Sequence, residues 1–215
     1  MRISLDAKAT VKIGDFSRGG KSRVLTKALD HDFKADCALT PFGIFLPKYD
    51  DLFLYFTPFT LTSDFIVDTL EQWWLKQKNF FPSITTLVIN QDNGPENQSH
   101  RTQFIKRMIE FVAKSSISVS LAYYPPYHSK YNPIERCFGV LENHWNGSIL
   151  DSLDSVLEFA HSMTWKGKHP HVELITKPYQ TGIKVPKSIM KSLETKLDRF
   201  SGLERWFINI PSSPH

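Results

Sequence analysis

Cysteine is nearly absent from this chain. Cys37 and Cys137 are its only two among 215 residues, far apart and in no motif spacing. That excludes a disulfide framework and a thiolate metal cage, and it fits a reduced intracellular compartment. The eight histidines show no zinc spacing either, and His169 and His171 stand isolated. No apolar run reaches the ~18 residues that a membrane span requires. The opening Met1-Arg-Ile-Ser-Leu-Asp6 carries charge at once and is no signal peptide. These absences point to a soluble, cytoplasmic protein with no membrane partner. Net charge is also small, at +4 with a pI near 9.0. It permits a polyanionic partner without demanding one. Disorder is excluded by 13% aromatic residues at so low a net charge. The length suffices for one sizeable core. No segment repeats another.

Apolar periodicity marks out the elements. Residues 2–13 alternate through Ile3, Leu5, Ala7, Val11 and Ile13, as a strand does. A domain that opens directly in a core strand is expected to be part of something longer. Residues 14–40, with Gly14, Gly19, Gly20 and several Lys and Arg, read as an irregular or hairpin insertion. Two apolar runs, 42–46 and 52–56, flank a turn at Lys48-Tyr-Asp-Asp51. Thr62-Ser-Asp64 starts a helix over 65–78 with one buried face. The β-branched run 85–90 predicts a central strand, and Gln91-Asp-Asn-Gly-Pro-Glu-Asn97 a turn directly after it. A helix over 100–114 and a strand over 118–122 follow, then helices over 132–146, 152–165 and 186–198. The order of three leading strands, then alternating strands and helices, predicts an α/β fold with a mixed five-stranded sheet and helices on its faces. The core is expected over 1–165, with a helical or irregular C-terminal extension over 166–215.

Three carboxylates stand where such a fold gathers chemistry. Asp6 lies in the first strand and Asp92 just past the strand at 85–90. Glu135 lies on the first turn of the helix that follows Tyr123-Tyr-Pro-Pro-Tyr-His-Ser-Lys-Tyr-Asn-Pro-Ile. Each has a plain alternative: a solvent-facing strand residue, a turn-forming Asp before Asn-Gly, and a capping-box Glu behind Asn132 and Pro133. If the first strand neighbours the strand at 85–90, Asp6 and Asp92 converge on one crevice at the strand ends. Crowded carboxylates repel unless a cation neutralises them. Hard oxygen ligands suit Mg²⁺ or Mn²⁺. Two such ions about 3.5–4 Å apart serve phosphodiester chemistry.

The chain resembles the DDE transposases, which share the RNase H-like fold of retroviral integrases. The likeness rests on Asp6 in an opening strand, Asp92-Asn-Gly-Pro-Glu-Asn97 after a buried strand, and His128-Ser-Lys-Tyr-Asn-Pro-Ile-Glu135. The second and third acids stand 43 positions apart, room for a helix and a strand. The Tyr-X-Pro and Asn-Pro-Ile-Glu forms are similar to the mariner-like group and to bacterial insertion-sequence transposases, the ISAzo type being the nearest placement. The resemblance implies that Asp6, Asp92 and Glu135 are catalytic metal ligands for two Mg²⁺ or Mn²⁺ ions. It implies DNA as partner, both transposon ends and target, a homodimer or larger assembly, and a bacterial, nucleoid-associated location. A helix-turn-helix region that reads the element's ends is expected in such enzymes, and none precedes Asp6.

A basic rim suited to phosphates comes from Lys8, Lys12, Arg18, Lys21 and Arg23, and from His128, Lys130 and Arg136 around Glu135. Asn93, Asn97 and Glu142 are candidates for supporting the site from behind. Glu142 lies seven residues after Glu135, on nearly the same helix face. Trp73, Trp74 and Phe104 are core residues in this reading. The function expected is phosphodiester cleavage at transposon ends followed by joining of the 3′-hydroxyl to target DNA. The alternatives are an RNase H-like nuclease without strand transfer, and an inactive DNA-binding or oligomerising remnant.

Overall fold

The computed structural model describes residues 1–15, 37–125 and 128–212. In chain order these form β1 (Arg2–Ala7), β2 (Val11–Ile13), β3 (Cys37–Leu46), β4 (Asp51–Thr57), α1 (Ser63–Gln77), β5 (Thr86–Gln91), α2 (Thr102–Ser115) and β6 (Ser118–Tyr123). They continue with α3 (Pro133–Trp145), α4 (Leu153–Ser162), β7 (His171–Leu174), α5 (Lys187–Glu194), β8 (Asp198–Arg199) and β9 (Phe207–Ile210). The result is a mixed α/β architecture. The chain divides into two compact units, one of Met1–Ser4, Thr60–Asn132 and Pro178–His215, the other of Leu5–Phe59 and Pro133–Lys177.

In the first unit the start of β1 lies parallel on β5, with Ser4 opposite Asn90. The two strands are therefore neighbours over Arg2–Ser4. β5 pairs in parallel with β6, Thr86 opposite Ser118. A parallel pair needs a crossover, and α2 supplies it. Both strands alternate between buried and half-buried positions. Leu87, Ile89, Val119 and Leu121 go into the core. β9 then adds antiparallel to β6, and β8 to β9. α1 begins where the Thr62 hydroxyl accepts the Phe65 amide at 3.1 Å, an N-cap bond.

α1 and α2 are joined by a charge network. Arg107 on α2 donates to Asp64 at 2.5 Å and Asp68 at 2.6 Å, with Glu71 at 3.8 Å and Glu110 at 3.0 Å. Gln103 adds a bond to Asp64 at 2.9 Å, and the Tyr179 hydroxyl one to Asp68 at 3.0 Å. Burial alone would lower the guanidinium's pKa, but Asp68 and Asp64 outweigh it and hold it above its ordinary value. It stays charged between the two helices.

In the second unit β2 pairs antiparallel with β3, and β3 with β4. Leu46 stands opposite Asp51. The hairpin turns through Asp50 at φ 54°, a left-handed conformation that Asp tolerates. β7 lies parallel on β4. α3 and α4 pack Ile134, Cys137, Phe138, Leu141, Trp145, Val156 and Ala160 against Val11, Leu39, Phe45, Leu54 and Phe56. α4 opens with a reciprocal Ser152–Ser155 capping box.

The mixed class stands, with three strands that the periodicity did not reveal: β7, β8 and β9. The apolar alternation of Phe207-Ile-Asn-Ile was their one legible signal. The first expected strand is split in two by residues 8–10, and the helix expected over 186–198 is Lys187–Glu194. Of the insertion expected over 14–40, residues 16–36 lie outside the described residues. Among the described residues no helix is long and apolar enough to cross a membrane.

Arg107→Met removes the cation that Asp64 and Asp68 share. It is expected to lower unfolding stability by roughly 2–4 kcal/mol in urea titrations. The Cys137 thiol is pushed up to about 12, first by burial and then by the Asp50 charge. At pH 8 it is expected to resist a thiol-modifying disulfide reagent in the native protein and to react promptly in denaturant, whereas Cys37, half-buried, reacts in both.

Candidate active site

The three acids occupy the ends of elements. Asp6 is the penultimate residue of β1 and is 8% exposed. Its Oδ1 accepts the Ala7 amide at 2.7 Å. Asp92 is half-buried one residue past β5, and Glu135 half-buried on the first turn of α3. Among the described residues, no three His, Cys, Asp or Glu side chains stand in metal-ligating geometry. The donor set is nonetheless of the kind that hard divalent cations take: carboxylates, one of them buried, with no thiolate among them. By chemistry the residues fit Mg²⁺ or Mn²⁺.

The strand and loop residues just ahead of these acids are pinned to one another in the first unit. Ser4 is opposite Asn90 in the β1–β5 register. The Ser4 hydroxyl donates to Asn132 Oδ1, and both residues are 0% exposed. Around them Arg2 Nε donates to Asn90 Oδ1 at 2.5 Å, and the Tyr124 amide to the Gln91 carbonyl at 2.9 Å. Along the chain, Asp6 follows Ser4 by two residues, Asp92 follows Asn90 by two, and Glu135 follows Asn132 by three.

Asn97 organises the turn that carries Asp92. Its side-chain amide donates to Gln91 Oε1 at 3.1 Å and to the Asp92 carbonyl at 3.2 Å. Its own carbonyl accepts the Tyr123 hydroxyl at 2.9 Å, tying the turn to the end of β6. Burial raises the Tyr123 pKa above its ordinary value, so the phenol keeps that proton. Asn93 Oδ1 accepts the Ser99 amide at 3.2 Å. Gly94 is required by close approach, because a Cβ there would lie 2.7 Å from Asn97 Oδ1 and 3.3 Å from Asp92 Oδ1. Asn93 and Asn97 therefore shape the loop around Asp92.

In the second unit α3 is set by Gly43 of β3. A Cβ on Gly43 would collide with Ile134 Cδ1 and come within 3.1 Å of Phe138 Cζ. The helix turn bearing Glu135 packs directly on this gap. Further along α3, Glu142 forms a 2.5 Å ion pair with Lys8, whose ammonium also lies 5.9 Å from the Trp145 ring. The structure thus brings together two residues that the sequence reading kept apart. Lys8 is partly compensated by Glu142.

The other basic candidates are placed as follows. Lys12 is exposed on β2 and Arg136 exposed on α3. His128 and Lys130 lie on the turn before Asn132. The His128 ring stacks near Tyr131 at 5.8 Å, and Lys130 sits 5.3 Å over the same ring. Arg18, Lys21 and Arg23 lie outside the described residues. The roles of Ser4, Asn90 and Gly43 were not legible in the sequence, since their partners are distant in the chain.

Gly43→Ala makes the Ile134 Cδ1 methyl give way and crowds the Phe138 ring. It is expected to cost about 1–3 kcal/mol of stability, read by urea denaturation, and to weaken any activity that depends on Glu135.

A family model described as the Rhodopirellula transposase DDE domain matches residues 1–212. Comparison with curated proteins finds no match. Among solved structures the chain is similar to the Mos1 transposase paired-end complex with left transposon end, at TM-score 0.55 and 13% identity, over 74% of this chain and 46% of that one. The Mos1 mariner paired end complex with Mn is similar too, at TM-score 0.54 and 12% identity, over the same shares. At that identity the likeness speaks for the fold, which is RNase H-like. The chain spans about half the length of the Mos1 chains it resembles. With the family model running over nearly its whole length, the chain belongs to the DDE transposases and forms a transposase catalytic domain of the Rhodopirellula type.

Proposed function

We propose that this domain cleaves phosphodiester bonds at transposon ends and joins the freed 3′-hydroxyl to target DNA, with Asp6, Asp92 and Glu135 as its catalytic carboxylates. The observation that carries the reading is the pinning of Ser4 to Asn90 by strand register and to Asn132 by a buried hydrogen bond. Each acid follows one of these three anchors by two or three residues.

The three carboxylates would hold the divalent ions, two Mg²⁺ or Mn²⁺. When bound, these offset the carboxylate repulsion and stabilise charge on the phosphodiester oxygens. The chain's own part is positioning. The Asn97 network holds the Asp92 loop, the Gly43 contact seats α3, and burial fixes Asp6. Preorganised placement of this kind accounts for much of the rate in in-line phosphoryl displacement. In the first step water attacks the phosphorus at the transposon end, and the 3′-oxygen leaves with a proton as a hydroxyl. In the second that hydroxyl attacks a target phosphorus, loses its proton, and displaces the target strand's 3′-oxygen.

Lys12, His128, Lys130 and Arg136 would meet the DNA backbone. Lys8 would contribute less, with Glu142 taking part of its charge. Arg18, Lys21 and Arg23 take the same role in this proposal from the sequence alone. A dimer or larger assembly, and a separate end-recognition region, belong to the same proposal.

Asp92→Asn keeps the size of the side chain and removes its charge. It is expected to reduce Mn²⁺-dependent nicking of supercoiled plasmid by more than about 100-fold with an unchanged thermal melt. Nicking that persists would refute the assignment of Asp92. Oligonucleotides with pre-cut 3′ ends separate strand joining from cleavage: products of cleavage alone would favour a nuclease without strand transfer. Absence of both nicking and Mn²⁺ binding by the wild-type protein would favour an inactive remnant.

A further inference from the structure

The basic C-terminal stretch has no part in the proposed catalysis. Residues 177–197 contain five lysines and one glutamate, a net of +4, which equals the formal charge of the whole 215-residue chain. The remainder of the chain is balanced, so the excess positive charge is concentrated in about a tenth of the length. Such asymmetry marks a polyanion-binding surface more than a general solubility device.

The structure shows how this segment is presented. Val185 and Leu197 are buried, at 9% and 7% exposure, and fasten its two ends to the first unit. The Val185 amide also donates to the Thr102 hydroxyl at 3.3 Å. Between these anchors α5 has no buried residue. Lys184, Lys187, Lys191 and Lys196 are all exposed. Among the described residues none of the four is in an ion pair. By contrast, Lys166 and Lys168 are paired with Asp50 at 3.0 Å and Asp51 at 2.8 Å. Glu194, the one acid in the stretch, is taken by Arg199 at 2.9 Å. Lys187 and Lys191 share one helix face, about 6 Å apart along the axis.

The residue types select the kind of ligand. Lysine is a point charge without the planar fork that reads base edges, so these groups suit phosphate oxygens. The segment's aromatic residue is not available for base stacking: the Tyr179 hydroxyl is bonded to Asp68 and its ring lies edge-on to Phe65 at 5.8 Å. A surface of unpaired lysines with no stacking platform fits the backbone of duplex DNA rather than single strands.

We infer that Lys184, Lys187, Lys191 and Lys196 form a sequence-independent DNA-backbone contact, separate in the chain from the proposed catalytic carboxylates. DNA as the occupant rests on the proposed function; the surface itself rests on charge and exposure. It would hold flanking or target duplex and add to affinity without adding specificity.

The test measures anisotropy of a labelled, random-sequence 30-base-pair duplex with the full chain across a salt series. In the variant K184Q/K187Q/K191Q/K196Q the slope of log affinity against log salt is expected to fall by about 2–4, near 0.9 for each phosphate no longer neutralised. Affinity at low salt is expected to drop at least tenfold. The variant K166Q/K168Q, whose lysines are already paired, should keep the wild-type slope, and thermal melts check folding of both. An unchanged slope in the quadruple variant overturns the inference. So does lysine-dependent binding to phosphatidylserine vesicles without lysine-dependent binding to duplex. Asp92→Asn separates the two readings, because it should lose nicking while keeping the full salt slope.

Discussion

A hydrogen bond between two fully buried side chains, Ser4 and Asn132, is the contact around which the polar framework of the first unit is built. A buried hydroxyl or amide left without a partner costs about 1–3 kcal/mol. A register slip of β1 would break this buried bond. Because side chains alternate along a strand, such a slip would also turn Ile3 out of the core. The packing of one apolar residue and the pairing of its polar neighbour thus select the same register. That register places Ser4 against Asn90, and the end of the long Pro-rich turn is fastened to the same strand.

The loop that carries Asp92 is held by a different means. It contains few apolar side chains and cannot be packed into place. Asn97 holds it instead, through two side-chain donors, its backbone amide bonded to Gly94, and its carbonyl bonded to Tyr123. Gly94 leaves room for the asparagine and aspartate oxygens. The Asn-Gly pair reads as an ordinary turn signal in sequence. In the fold it is a scaffold for the carboxylate beside it. α3 is placed by a third device, the missing side chain of Gly43, which lets Ile134 and Phe138 settle on the strand.

Charge is divided between structural and exposed groups. Arg107 joins α2 to three acids of α1 and also pairs with Glu110 on its own helix, and Lys8 is paired with Glu142. The lysines of residues 184–196 are exposed and, among the described residues, in no ion pair. A net charge of +4 for the chain conceals this partition, because it sums paired and unpaired groups alike.

Local pattern determined most of the elements. The 3.6-residue spacing of Phe65, Ile66, Leu70, Trp73 and Trp74 and the β-branched run ahead of Asp92 each found their element, because burial of one face is written in the residues themselves. Asp6, Asp92 and Glu135 could be singled out because motifs of short range surround two of them. β7, β8 and β9 were barely legible: they span two to four residues, too short for a sustained period, and exist because β4, β9 and β6 respectively offer them an edge. The pairing of Lys8 with Glu142, the bond from Ser4 to Asn132 and the gap at Gly43 were likewise decided by tertiary structure alone. Each joins residues about 90 or more positions apart, and no local period encodes which distant partner a polar or missing side chain will meet.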